Sequence, residues 1–193
     1  MAHRVGLVYH STNGFTNKVA GHIYEGLTKS NQSECRMLNV EFLSTDDWEY
    51  ITSADGLIFG TPTYFGGVSG QFKRFMDQTI GIWEKGDWHG KSAAGFVTAA
   101  DVRFDAFCCL NQLLIFASQH GMKWVTPRFP AALKEPPHEI SRIVVSYGLA
   151  VYGTRDQKID VVMSKADIRQ LNQFGNDFIG GQSPALSAHR RSS

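Results

Sequence analysis

Short runs of apolar residues alternate along this chain with longer stretches in which apolar residues recur at helical spacing. The run Val5–Tyr9 is followed by turn-forming polar residues, which is typical of a buried parallel strand. Beyond Thr16 the apolar positions are separated by polar ones, and they are Val19, Ala20, Ile23, Tyr24 and Leu27. The pattern predicts a first strand followed by a first helix.

The same alternation continues as far as Val125. Further strands are predicted at Arg36–Val40, Gly56–Phe59, Ala93–Val97 and Met122–Val125. Further helices are predicted from about Thr45, over Ser69–Ile80 and over Phe104–His120. Because strands and helices alternate with short connections, we expect an α/β fold with a doubly wound parallel sheet and helices on both faces.

The alternation breaks down between Pro127 and about residue 160. Long connections of this kind often carry function in compact domains. Inside this stretch, the apolar run Ile143–Tyr152 is compatible with a strand or with a loop that covers a cofactor, and both interpretations stay open. Val161–Ile179 predicts a final helix.

Composition and charge narrow the class of protein. The chain has 193 residues, of which 42% are hydrophobic and 19% charged, so we expect one domain over residues 1–180 and a disordered tail over 181–193. A net charge of +1 and the lack of a long apolar stretch argue against nucleic-acid and membrane partners. The three cysteines have neither disulfide-framework nor metal-site spacing, so a cytoplasmic location is expected.

A hydroxyl-rich loop follows the first strand and opens the first helix. We call it the phosphate loop, and its residues are Ser11, Thr12, Asn13, Gly14, Phe15 and Thr16. Its hydroxyl and backbone N–H groups lie where the helix dipole is positive, which favours a bound phosphate. The loop lacks the residues of a Walker A or a dinucleotide motif, which argues against ATP or NAD as a tightly held ligand. The alternative is a tight turn that only caps the helix.

Two further loops follow the third and fourth predicted strands. The first lies within Gly60–Gly70, which holds four glycines, and its candidate residues are Pro62, Thr63, Tyr64, Phe65 and Gly66, the ring loop. Glycines let backbone N–H groups approach a flat heterocycle closely; the alternative is a turn whose two aromatic residues pack in the core. The second, the third loop, comprises Thr98, Ala99, Ala100 and Asp101. Together the three loops predict bound flavin mononucleotide (FMN) at the carboxyl edge of the sheet.

Histidines are scattered along the chain without the spacing of metal ligands, so no metal site is predicted. His10 is set apart from the others because it directly precedes the phosphate loop. There it would add positive charge when protonated below neutral pH.

One stretch of the chain resembles the WrbA-type NAD(P)H:quinone oxidoreductases. The matching residues are Gly60-Thr61-Pro62-Thr63-x-Phe65-Gly66, Ser69-Gly70-Gln71, Phe75, Asp77-Gln78-Thr79 and Trp83. The phosphate loop, Gly90-Lys91 and His120-Gly121-Met122 are similar too, so the resemblance covers about residues 4–126. It implies a flavodoxin-like sheet of five parallel strands in the order 2-1-3-4-5, non-covalent FMN, and a dimer or tetramer in which Trp83 approaches the flavin of a neighbouring subunit.

The resemblance also implies an activity. NADH or NADPH would reduce the flavin at N5, and a quinone or similar acceptor would then take both electrons in a ping-pong mechanism, with no side chain required as acid or base. Tyr64 departs from the family, which usually has Arg at this position. Two alternatives remain, a flavodoxin-like carrier of single electrons and a flavin-binding scaffold protein with little turnover.

Overall fold

A mostly parallel sheet lies at the centre of the computed structural model, which describes residues 3–29, 33–100, 104–128, 141–153 and 163–182. The strands are β1 (His3–Tyr9), β2 (Ser33–Asn39), β3 (Gly56–Tyr64), β4 (Gly67–Val68), β5 (Ser92–Ala99), β6 (Lys123–Trp124), β7 (Ile143–Val145) and β8 (Leu149–Tyr152). The helices are α1 (Phe15–Thr28), α2 (Thr45–Ser53), α3 (Gly70–Gln78), α4 (Ile80–Lys85), α5 (Asp105–Gln119) and α6 (Lys165–Gln182).

The strands follow the order β2-β1-β3-β5-β8-β7, and every pair from β2 to β8 is parallel. The predicted fold class and the order of the first four strands are therefore confirmed. The fifth position differs from the prediction because two segments share it. β6 pairs with the beginning of β5, β8 pairs with its end, and β7 adds an antiparallel edge. The run Ile143–Tyr152 is thus a pair of short strands.

Side chains from alternate strand positions fill two apolar layers, as expected for strands buried on both faces. One layer lies under α2, α3 and α5 and contains a group of aromatic side chains, Phe59, Phe72, Phe75, Trp88 and Phe116. The other lies under α1 and α6, where Ile23 and Phe178 are fully or almost fully buried. Both layers hold the carboxyl ends of β1, β3 and β5 in fixed relative positions.

Helices α1 and α6 approach each other at two glycines. A Cβ atom on Gly26 would lie 1.9 Å from the carbonyl oxygen of Asn172, and one on Gly175 would lie 2.2 Å from that of Ile23. Such distances are far below van der Waals contact, so only glycine permits this backbone approach. Because α1 begins at the phosphate loop, this packing also anchors that loop.

Helix α6 extends to Gln182, two residues into the predicted tail. The remaining tail residues, 183–193, lie outside the described residues, so the domain boundary at 180 stays a prediction. Within the described ranges, no helix is both long enough and apolar enough to cross a membrane.

Candidate functional site

The three predicted loops meet around one cleft at the carboxyl edge of the sheet. The cleft is lined by Thr12, Asn13, Phe15, Thr16, Pro62, Tyr64, Thr98 and Ala99. The loops come together because β1, β3 and β5 are adjacent and parallel, so the segments that follow them leave the sheet at the same edge. The structure thus brings together members of all three loops from distant parts of the sequence.

The phosphate loop leads into the first turn of α1, whose backbone N–H groups can bind an anion. Gly14 precedes α1 with a φ of +82° and supplies no side-chain cap. The Ser11 hydroxyl accepts from the N–H of Asn17 at 3.1 Å, so the capping alternative is correct for this one contact. Earlier N–H groups in a first helical turn have no intrahelical partner, and the first turn of α1 carries no acidic residue. These features fit a phosphate group.

Two of the hydroxyl groups that line the cleft form a buried hydrogen bond with each other. Thr16 Oγ1 lies 2.7 Å from Thr98 Oγ1, and both residues are at least 97% buried. This contact joins the start of α1 to the end of β5 and holds the phosphate loop against the third loop. The predicted site residues Thr16 and Thr98 therefore also stabilise the cleft directly.

The ring loop forms the tip of a β-hairpin between β3 and β4. Phe65 and Gly66 both have positive φ, +50° and +77°, in a two-residue turn of the kind that fits the twist of paired strands. Phe65 is fully exposed and Tyr64 is only partly buried. The alternative that both aromatic residues pack in the core is therefore wrong. Tyr64 lines the cleft, whereas Phe65 lies outside it at the tip.

A glutamine on α5 binds this hairpin, a contact that the sequence pattern does not predict. Gln112 Oε1 accepts from the N–H of Val68 at 3.2 Å, and Nε2 donates to the carbonyl oxygen of Gly66 at 3.5 Å. The side-chain amide thus pairs with the hairpin as a neighbouring strand would. A single polar residue on a helix carries no sequence signal for such a contact. Gln112 holds the ring loop in its position beside the cleft.

We expect Gln112→Ala to weaken FMN binding by roughly three- to tenfold, because the loss of about 1 kcal/mol of hydrogen bonding loosens the ring loop. Titration of the flavin-free protein with FMN measures this change. Since Gln112 is exposed and its truncation leaves no cavity, the free energy of unfolding should fall by no more than about 1 kcal/mol. Asn111→Ala, at the exposed preceding position, is the matched control and should leave FMN affinity unchanged. Equal affinities for the two variants would contradict the role of Gln112.

The remaining predicted residues lie in different places. Ala100 is described but does not line the cleft, and Asp101 lies outside the described residues. Thr63 lies between Pro62 and Tyr64 in β3, and its hydroxyl is buried. Trp83 is half exposed, and its ring N–H donates to the carbonyl oxygen of Gln119 at the carboxyl end of α5. Since α5 begins next to the third loop and ends at the opposite edge of the sheet, Trp83 is remote from the cleft of its own chain.

His10 is buried beside the end of β2. Its backbone N–H donates to the carbonyl oxygen of Gly60 at 3.0 Å, and Nε2 lies 3.5 Å from Oε2 of Glu41. Burial lowers the pKa of the imidazole, and the Glu41 carboxylate partly counters this by raising it. The neutral form is therefore favoured at neutral pH, and the Glu41 carboxylate lies against the ring. The expectation that His10 adds positive charge to the phosphate loop finds no support in this geometry.

The lowered pKa of His10 predicts a pH-dependent stability. Because the folded chain binds this proton less readily than the unfolded chain, the stabilisation is complete above about pH 6.5 and is lost as the pH falls below that value. We expect His10→Gln, which cannot titrate, to lose less stability than the wild type between about pH 7.5 and about pH 5. Urea unfolding at both pH values measures the difference. His120, whose pKa is also lowered by burial, is present in both proteins and contributes equally to both. Equal losses of stability in the wild type and the variant would exclude His10 as the cause.

Comparison with known proteins gives three kinds of relative. Residues 48–134 match the NADPH-dependent FMN reductase family. The flavodoxin FldP of Pseudomonas aeruginosa is 34% identical over 120 residues, which are 62% of this chain and 64% of that protein. The quinone-oxidoreductase QR2 of Triphysaria versicolor is 30% identical over 146 residues, which are 65% of this chain and 69% of that protein.

A solved structure extends the similarity over most of the chain. The flavodoxin, WrbA-like protein from Agrobacterium tumefaciens has a TM-score of 0.69 at 28% identity, covering 92% of this chain and 96% of that one. By sequence, however, the chain spans less than two thirds of the length of FldP. The region that matches the reductase family contains the ring loop and the third loop of the cleft.

Proposed function

Because the chain belongs to the flavodoxin-like FMN reductases of the WrbA type, we propose that it is an FMN-dependent oxidoreductase that uses NADH or NADPH to reduce a quinone or a similar small acceptor. The observation that carries this proposal is the convergence of the phosphate loop, the ring loop and the third loop on one cleft. A phosphate site beside a loop with accessible backbone N–H groups is what FMN requires.

Each loop would have a separate task. Residues 11–16 bind the phosphate through hydroxyl and N–H groups at the start of α1. Residues 62–66 present backbone groups to the edge of the ring, and Gln112 holds them there. Residues 98–101 contact the far edge of the ring and the ribityl chain. The bound flavin supplies hydride and electron transfer, and the protein positions it and excludes water.

Further properties of the protein belong to the same proposal. Electron donor and acceptor would use the cofactor in turn, which gives ping-pong kinetics. The protein would act in the cytoplasm as a dimer or tetramer, without nucleic-acid or membrane partners. Trp83 is half exposed at the edge of the sheet remote from its own cleft, as required if it approaches the flavin of a neighbouring subunit.

Absorption spectra of the purified protein test the proposal. We would add NADH or NADPH without oxygen and then a soluble benzoquinone. The expected result is a yellow protein that bleaches with the nucleotide and recovers its colour with the quinone. Initial rates at several donor and quinone concentrations should then give the parallel double-reciprocal lines of a ping-pong mechanism.

Other outcomes of this experiment would support the alternatives. A colourless protein that takes up no added FMN would contradict the flavin site itself. Flavin that accepts electrons singly and passes none to a quinone would support a flavodoxin-like carrier. Flavin that binds but resists reduction by both nucleotides would support a scaffold protein.

A further inference from the structure

Two of the cofactor loops are joined directly across the mouth of the cleft. The phenol hydroxyl of Tyr64 donates to Oγ1 of Thr12 at 3.0 Å, although the two residues are 52 positions apart in the sequence. Both side chains line the cleft. The ring loop therefore contacts the phosphate loop through one side-chain pair, and this pair lies beside the proposed position of the cofactor.

This hydrogen bond leaves the proton of Thr12 available for another acceptor. A threonine hydroxyl can donate one hydrogen bond and accept two. Because Tyr64 occupies an acceptor position of Thr12, the Thr12 O–H can still donate to an anion in the phosphate loop. A hydroxyl that accepts one hydrogen bond also becomes a stronger donor in the next, because the two bonds polarise each other.

Individual O–H donors matter in this loop because no Lys or Arg lies between Ser11 and Thr16. Within the loop itself, a bound phosphate would be held by neutral donors and by the start of α1. Hydrogen bonds to charged acceptors are stronger than those between neutral groups. The orientation of a single hydroxyl therefore has a measurable effect on the affinity for a phosphorylated ligand.

We propose that Tyr64 is a positioning residue that selects the phosphorylated form of the flavin by orienting the Thr12 hydroxyl toward the phosphate. The inference rests on the proposed FMN site and adds a specificity to it. Tyr64 lies on the ring loop, yet its hydroxyl acts on the phosphate. The protein therefore discriminates FMN from riboflavin partly through a residue outside the phosphate loop.

Titration of the flavin-free protein with FMN and with riboflavin, followed by flavin fluorescence, tests this selection. We expect Tyr64→Phe to weaken FMN binding roughly three- to tenfold while riboflavin binding changes less than about twofold. The melting temperature of the flavin-free variant checks that it folds. Tyr24→Phe is the matched control: it removes a phenol that donates to the Cys35 carbonyl oxygen at 3.0 Å away from the cleft, and it should leave the FMN-to-riboflavin affinity ratio unchanged.

A double-mutant cycle with Thr12→Val shows whether Tyr64 acts through Thr12. In that background Tyr64→Phe should have no further effect on FMN affinity. Persistence of the effect, equal weakening of both flavins, or unchanged or tighter FMN binding in Tyr64→Phe would each overturn the inference. A wild-type protein that binds neither flavin would instead overturn the proposed function on which it rests.

Discussion

Ser11→Asp is expected to weaken FMN binding by at least about 100-fold while leaving the folded protein as stable as the wild type. The Ser11 hydroxyl accepts from the N–H of Asn17 in the first turn of α1, and a carboxylate can accept the same hydrogen bond. A negative charge at this end of a helix is itself favourable, so the free energy of unfolding should change by no more than about 1 kcal/mol. The same charge repels the phosphate dianion that the loop is proposed to bind.

The control for this variant is Ser11→Asn, which has nearly the same shape as Asp but no charge. It should bind FMN within a few-fold of the wild type, and fluorescence titration measures both affinities. Riboflavin, which lacks the phosphate, should bind Ser11→Asp and Ser11→Asn equally well. Similar FMN affinities for the two variants would show that the phosphate does not lie in this loop.

Gly26→Ala is expected to destabilise the protein by about 2 to 4 kcal/mol, although alanine normally favours a helix. The added methyl group would lie 1.9 Å from the carbonyl oxygen of Asn172, so the backbone of α6 must move away from α1. That movement also disturbs the hydrogen bond at 3.1 Å from the Asn172 amide to the carbonyl oxygen of His22. The midpoint and slope of urea unfolding measure the loss.

Gly21→Ala is the matched control because Gly21 lies on the same helix and its added methyl group would meet nothing within 4 Å. This variant should be as stable as the wild type or more stable by up to about 1 kcal/mol, the ordinary gain of alanine in a helix. A similar effect of both substitutions would mean that helix propensity, and not the contact with α6, determines the outcome.

The fold class was predictable from the sequence because the alternation of apolar runs and amphipathic stretches is local. The fifth position of the sheet was not predictable. Met122–Val125 has the apolar pattern of a strand, but that pattern does not show along how much of β5 the segment pairs. The approach of the chain to β5 just before β8 depends on a distant contact, because a Cβ atom on Gly148 would lie 2.6 Å from the carbonyl oxygen of Gly95. One sequence does not reveal such a contact.

The convergence of the three candidate loops was predictable from the same alternation of strands and helices. The three loops follow strands, and parallel strands place their ends together, so their convergence follows from the fold. The hydrogen bonds of Gln112 join segments at least 44 residues apart and depend on how α5 lies over the sheet. The hydroxyl pairing of Thr16 with Thr98 likewise spans 82 residues. The loops follow from residue types placed after strands, and the family resemblance, confirmed by the comparisons, agrees with them, but neither indicates these two contacts.

Because two segments share the fifth position of the sheet, the connection between them can change in length without altering the strands that carry the cleft. The cleft is built on β1, β3 and β5, which precede the connection between the end of β6 at Trp124 and the start of β7 at Ile143. The entropy of closing a loop rises only slowly with its length, so segments inserted here cost little stability. The length of this connection can therefore change while the three strands that carry the cleft keep their positions.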